Sequence, residues 1–485
     1  MSTVILQKPP LFRIIKATED SRFPSFRIEG VLPMKEQLIA WILSLVLAAS
    51  GTGCAADPAP GSADIKVFDS VYALETPDYP EMAAYPDPGD GSQYDASAWE
   101  EWSAQKQKQW EAAASYQGKL DRYLQTALPS LMKPQKGSEN AVCSPVNVWF
   151  ALAMAAETAG GETRQELLDL LGVSSVEELR EISTALWTAN YTDDGANTLR
   201  LGASLWVNQN YAFQEKTLQT LAKDYFAASF RGEMTDPAFS KAFKDWLNEM
   251  TGGLLKDNVN QLEDFRPDDV MALATTVYFS AKWGDEFQES NTYPETFHGT
   301  KKDVEMDFMH RRIEGPYYWE DRFGAVQLPF TDAGSMWLIL PDEGVSPEDL
   351  LNGGDVLAFL GKDYGERNGK GLMIDVAVPK FDVTASQDLK ETLISLGVTR
   401  MFTGDADFSN LTDESGVFVS SATHDARVKI DEKGCEAAAF TVMMYTKSAM
   451  PPDEHMEFRL DRPFLFVVTG IDGLPLFTGL VNQVE

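Results

Sequence analysis

The sequence predicts an α+β protein whose body is one large domain over residues 100–485. Three observations carry that prediction. Helical runs gather early, in "SPVNVWFALAMAAETAGGETRQELLDLLG" and "SVEELREISTALWTA". Strand-like runs dominate later, in "MALATTVYFSA", "GAVQLPF", "MWLILPD", "LMIDVAVPKFDV", "PFLFVVTG" and "LPLFTGLV". The two kinds do not alternate as βαβ units, and no Pro/Gly-rich seam or internal repeat divides the domain. That is the pattern of large antiparallel or mixed sheets with segregated helices.

The elements follow in order. Residues 1–33 match no structural pattern and read as an extension ahead of a true start at Met34. Met34-Lys35 leads into the apolar run Leu38–Ala49, whose twelve residues are too few to span a bilayer and suit the core of an export signal. Gly51-Thr52-Gly53 then precede Cys54, which resembles a lipoprotein-type cleavage site at the end of a signal over 34–53, with lipid carried by Cys54. Ordinary signal cleavage just after Cys54 is the alternative. Either route exports the chain, as a cell-surface lipoprotein or as a secreted extracellular protein. Residues 54–99, with "TPDYPEMAAYPDPGDGSQYD", read as an acidic spacer without sustained period. Helix begins near Ala98 and is firm by "KQKQWEAAASYQGKLDRYLQTALPSLM".

Composition narrows the function. Apolar residues make up 44% and aromatics 11% of the 485-residue chain, as in a globular core. With 41 Lys and Arg against 74 Asp and Glu, the net charge of −33 makes nucleic acid a poor partner. The three cysteines, Cys54, Cys143 and Cys435, form no CxxC pair and are too few for a disulfide scaffold. His298, His310, His424 and His455 are scattered, and HExxH, GxSxG, P-loop and GxGxxG patterns are all missing. Asp453, His455 and Glu457 share one strand face by alternation, but a solvated edge after a loop explains them better than a metal site. The sequence therefore reads as no enzyme, with no cofactor and no metal.

The informative stretch is "VKIDEKGCEAAAFT", Val428–Thr441. Val428 and Ile430 alternate with polar residues as a strand, a run of small residues follows, and "VMMYTKSAMPPDEHME" continues as an irregular loop closed by Pro451-Pro452. Small residues at the start of an exposed loop imply that something must accept them.

"DEKGCEAAAFT" resembles the reactive-loop hinge of the serpins, suicide inhibitors of serine and cysteine proteases. The resemblance extends through "NAVCSPVNVWFALAMAAETAGGET", "WLNEMTGGLL", "TTVYFSAKWGDEF", "VPKFDVTASQDLKETLISLGVTRMF" and "RPFLFVVTGIDGLPLFTGLV", in the family's order. It implies a fold of about nine helices around three β-sheets with an exposed reactive-centre loop. It also implies a target serine protease held as a covalent acyl complex, by loop cleavage and insertion of the loop into the main sheet. The partner reading is then a monomer that meets a membrane only through an N-terminal lipid. "SSVEELREISTAL" is acidic where some relatives carry a basic helix, so no heparin-type polyanion is expected.

On this resemblance the hinge is Glu432, Gly434, Cys435, Glu436, Ala437, Ala438 and Ala439. Strand alternation turns Cys435, Ala437, Ala439 and Thr441 inward, all small and uncharged, while Glu436, Ala438 and Phe440 face out towards solvent. Gly434 supplies freedom at the bend. An arginine at Cys435 should block the first step of insertion. About a dozen new ladder bonds at roughly 0.5–1.5 kcal/mol each would release on the order of 10 kcal/mol. Counting along the loop as the family does places the attacked bond at Ser448–Ala449, suited to elastase-like or subtilisin-like enzymes; Lys447 and Tyr445 are alternatives. Ser144 with His424 matches a buried hydrogen bond holding two strands, and Lys380 with Glu432 an ion pair where the sheet opens, exposed and weak. A non-inhibitory carrier or chaperone, or an inhibitor of papain-like cysteine proteases, is the alternative function.

Overall fold

Helix starts are set by capping side chains. Asp95 accepts the N–H groups of Ser97 and Ala98, and Ser144, Ser175 and Asp236 each cap a helix in the same way, Ser144 and Asp236 ahead of a proline. The structure is a computed structural model that describes residues 68, 70–86, 95–134, 139–435 and 454–484. In chain order it has strand β1 (Ala73–Glu75), helices α1 (Ala96–Tyr116) and α2 (Asp121–Leu131), strand β2 (Ala141–Cys143), and helices α3 (Pro145–Thr158), α4 (Gly161–Leu171) and α5 (Val176–Asn190). Next come β3 (Thr192–Asp193), β4 (Thr198–Asn208), α6 (Glu215–Asp224), β5 (Ala227–Gly232), α7 (Pro237–Met250), α8 (Lys256–Gln261) and β6 (Met271–Lys282). Strands β7 (Thr292–His298), β8 (Asp303–Trp319), β9 (Phe323–Pro329) and β10 (Ser335–Pro341) precede helices α9 (Pro347–Asn352) and α10 (Asp355–Leu360). The chain ends through β11 (Gly369–Pro379), β12 (Asp382–Asp388), α11 (Lys390–Ser395), β13 (Thr423–Lys429), β14 (Gly434–Cys435), β15 (His455–Arg459), β16 (Phe464–Thr469) and β17 (Pro475–Val481).

The strands form three sheets. The main sheet runs β1-β5-β4-β6-β14, with β3 beside β4. The second runs β15-β11-β8-β9-β10-β16-β17-β2, with β7 beside β8, and β12 pairs with β13 alone. Both large sheets are mixed: β4–β5 and β11–β15 are parallel pairs among antiparallel ones. The expected α+β layout is present, with eleven α-helices among the described residues, four of them only six residues long.

Each face of the main sheet is covered. Leu199, Leu201, Ala203, Leu205 and Val207 of β4 enter the principal core. On the opposite face Trp206, Phe230 and Ala274 pack with Phe239, Trp246 and Met250 of α7 in a second cluster. Trp206 stacks on Phe230 at 4.2 Å. A sheet buried on both sides has no free face to lose, so its strands read as nearly continuous apolar runs.

The spacer reading of residues 54–99 is corrected over its described part. β1 pairs antiparallel with β5, Ala73 opposite Phe230 and Glu75 opposite Ser229. Tyr72 packs edge-on to Phe239 at 4.9 Å, and Tyr79 stacks on Trp187 and Tyr191 at 5.6 and 6.0 Å. The Tyr79 hydroxyl donates to the Phe226 carbonyl at 3.4 Å. The Pro, Asp and Gly content signals the lack of a helix, but the interspersed aromatics dock as single anchors, which no periodicity reports. Tyr79→Ala should lower stability by about 2 kcal/mol in urea unfolding, through lost aromatic burial; a spacer residue would give no change.

Candidate functional site at the head of the main sheet

The site is the turn from β13 into β14. Asp431 Oδ1 accepts the N–H groups of Lys433 and Gly434 at 2.9 and 3.2 Å, and the Asp431 N–H donates to the Gly434 carbonyl at 3.0 Å. The chain thereby reverses, and Ile430 bridges Cys435 antiparallel. On its other side β14 pairs with β6, Gly434 opposite Lys282 and Cys435 opposite Ala281. Strands β6 and β13 share no ladder with each other among the described residues; β14 stands between their heads.

The turn is roofed by the segment after β6. The Trp283 and Phe287 N–H groups donate to the carbonyls of Lys433 and Glu432 at 3.0 and 2.9 Å, and Trp283 Nε1 donates to the Asp431 carbonyl at 2.9 Å. Trp283 stacks on Phe330 at 4.9 Å, which fixes the roof to the turn after β9. Sequence reasoning missed Trp283 as a site residue, although a Trp-Gly closing a strand run was the available signal.

Two hinge expectations change. Gly434 lies outside the left-handed backbone region, and its requirement is close approach: a Cβ there would collide with the Ala281 carbonyl. Cys435 is already seated, only 4% exposed within the principal core. An arginine at Cys435 would therefore disturb the uncleaved form as well as insertion. Glu436, Ala437, Ala438, Ala439, Tyr445, Lys447, Ser448 and Ala449 lie outside the described residues, as does Cys54.

Lys380 Nζ donates to both carboxylate oxygens of Glu432 at 3.1 and 3.0 Å. The pair is not the exposed one expected, since Glu432 is 9% exposed. Burial acts to raise the Glu432 pKa, but hydrogen bonds from Lys380 and Thr292 and the Lys380 charge leave it below the ordinary carboxylate value.

His424 of β13 is buried, and its Nε2 accepts the Ser144 backbone N–H at 3.0 Å. The bond ties β13 to the start of α3 rather than strand to strand, and the Ser144 hydroxyl caps that helix by accepting the Asn147 N–H at 3.3 Å. Burial pushes the imidazole pKa down to about 4, with Asp425 opposing. Among the described residues no three His, Cys, Asp or Glu gather into a metal site, and His455 and Glu457 lie exposed on β15.

A histidine depressed from 6.5 to about 4 in the folded form leaves the unfolded chain binding the extra proton between those values. The stability tied to His424 is therefore full above pH 6.5 and is lost as acid approaches pH 4. Urea midpoints should drop across that window, and His424→Gln, which keeps an acceptor and no titration, should flatten the drop. Ser144→Ala should cost about 1 kcal/mol of helix capping while leaving the window in place, since the backbone N–H survives.

With the geometry established, comparison with known proteins is direct. The serpin (serine protease inhibitor) family model matches residues 124–484. A serpin-like protein of Thermococcus kodakarensis is 30% identical over 361 residues, covering 72% of this chain and 82% of that one. Alpha-1-antiproteinase 2 of Equus caballus is 29% identical over 358 residues, covering 72% and 82%. Among solved structures, the native state of the thermophilic serpin tengpin superposes with a TM-score of 0.66 at 26% identity, covering 76% of this chain and 93% of that one. With its hinge strand β14 on the edge of the main sheet beside β6, and one family model matched from 124 to 484, the chain belongs to the serpin family.

Proposed function

We propose that the chain is an irreversible suicide inhibitor of serine proteases that works by inserting its cleaved loop into the main sheet. One observation carries the reading: Gly434 and Cys435 already occupy the head of the strand position between β6 and β13. Continuing their register sets Ala437 opposite Phe279, Ala439 opposite Val277 and Tyr445 opposite Met271. The inner face is then Cys435, Ala437, Ala439 and Thr441 beside core-facing Ala281, Phe279 and Val277, where only small uncharged groups fit. The outer face is less open than alternation alone implied. Phe440 falls opposite buried Thr276, which lies with Gly202 against Met250 of α7. Its ring must pass beneath that helix, which slows insertion.

The register also bears on the attacked bond. Strand β6 ends opposite Tyr445, leaving Thr446, Lys447 and Ser448 to reach a protease held as the ester of Ser448. The protease serine attacks the Ser448 carbonyl, the amine of Ala449 leaves, and insertion outruns hydrolysis of the ester. A small residue at the attacked position fits the shallow pockets of elastase-like or subtilisin-like enzymes. Export, with lipid on Cys54, places the inhibitor outside the cell. Arg180 on α5 is held by the buried Glu157 at 2.7 Å, in keeping with a helix that recruits no polyanion.

An elastase-like protease mixed with the chain should give an SDS-resistant complex and release a C-terminal fragment starting at Ala449; one starting at Ser448 or Thr446 moves the bond to Lys447 or Tyr445. Ala437→Arg should convert inhibitor into substrate, with cleavage but at least about tenfold less complex, because a charge must enter the core. Glu436→Arg should trap nearly as well as the parent, and equal loss in both variants rejects the face assignment. Intact mass of the membrane fraction should show a diacylglyceryl-modified chain beginning at Cys54; an unmodified start at Ala55 means secretion.

A further inference from the structure

The family match begins at residue 124, yet β1 and the 21-residue helix α1 precede it and pack on the domain. Helix α1 crosses a joint. On one side lie the end of α5 and the β3–β4 hairpin, which travel with β6. Gln109 Nε2 donates to the Tyr191 carbonyl at 2.7 Å and to Thr192 Oγ1 at 3.0 Å, and Trp102 Nε1 donates to Asp194 Oδ2 at 3.2 Å. On the other side lie two turns of the second sheet. Lys106 Nζ donates to the Asp332 carbonyl in the β9–β10 turn at 3.5 Å, and the Tyr116 hydroxyl donates to Asp472 in the β16–β17 turn.

The two sides share partners. Lys106 Nζ is 3.6 Å from the Asp194 carboxylate as well, and Asn190 of α5 donates to the Tyr116 oxygen at 2.9 Å. Lys106, Gln109 and Asp194 are all buried. A buried polar network is costly to leave half made, so it favours one relative placement of the groups it joins. Next to it Asn197 at the head of β4 donates to the Thr331 carbonyl at 2.7 Å, so α1 reinforces a joint that the body already makes. Strand β1 on β5, with Tyr79 on Trp187, fastens the same segment to the β6 side.

The joint lies where strand insertion must act. β12 and β13 pack on β2 and stay with the second sheet. A strand entering between β6 and β13 must then shift β6, β4, β5 and α5 against that sheet by up to about 4.8 Å, one strand spacing. Hydrogen bonds from α1 do not survive such a shift at both ends. We infer that the described parts of the leading segment, 70–86 and 95–116, are a brace: they hold the main sheet against premature entry of the uncleaved loop and set the rate of spontaneous inactivation. The brace rests on the loop-insertion reading above.

The test uses the full chain and needs no protease for its first arm. Tyr116→Phe removes the hydroxyl shared by Asp472 and Asn190, and Lys106→Gln loosens the other tie. On incubation at raised temperature, each should convert about tenfold faster than the parent to a urea-resistant form whose loop is no longer cleaved. In the second arm, urea midpoints are taken before and after loop cleavage by a non-target protease. The brace predicts a lower midpoint in the uncleaved form and an unchanged one after cleavage, because its ties are then already broken. An equal fall in both forms, or an unchanged conversion rate, overturns it. A parent chain that gains no urea resistance on cleavage removes the insertion reading and the brace together, which separates that failure from failure of the brace alone.

Discussion

The contact on which the rest depends is the pairing of Gly434 and Cys435 with Lys282 and Ala281. It is two residues long, and it fixes both the place and the register at which further chain can join the main sheet. A strand pairing shifted by one residue would turn every following side chain to the opposite face. The roof from Trp283 to Phe287 and the Lys380–Glu432 pair secure that register from outside the sheet. Seating the first two residues in advance also lowers the entropy needed to begin insertion, since the costly closure is already made.

Coverage of the sheet on both faces supplies the second constraint. Beneath it lies the principal core, and above it α7 packs through Phe239, Trp246 and Met250. An entering strand must fit between two close-packed layers, which is why its side chains must be small on the inner face and why Phe440 is a burden on the outer one.

Under the proposed insertion, a chain that gains on the order of 10 kcal/mol by rearranging must be delayed from doing so on its own. Delay resides in contacts that exist before the rearrangement and vanish with it. The ties of α1 to the β6 side and to the second sheet join the parts of the molecule that the proposed insertion would move against each other. They are polar and buried or half-buried, where a broken hydrogen bond is felt most.

Much of this was legible in the sequence. Early helices and late strands determined the fold class, because local period and side-chain volume are properties of neighbouring residues. Capping signals at Ser144, Ser175 and Asp236 likewise mark helix starts at short range. The tertiary structure decided what depends on distant partners. It turned Gly434 from a flexible bend into a close approach to Ala281, and gave the Ser144 hydroxyl to a helix cap while its N–H went to His424. It drew Tyr72 and Tyr79 out of an apparent spacer onto Phe239 of α7 and Trp187 of α5, and set Lys106 and Tyr116 across a joint between sheets. Those outcomes rest on contacts between residues up to 356 positions apart, which no local pattern of polarity or size encodes.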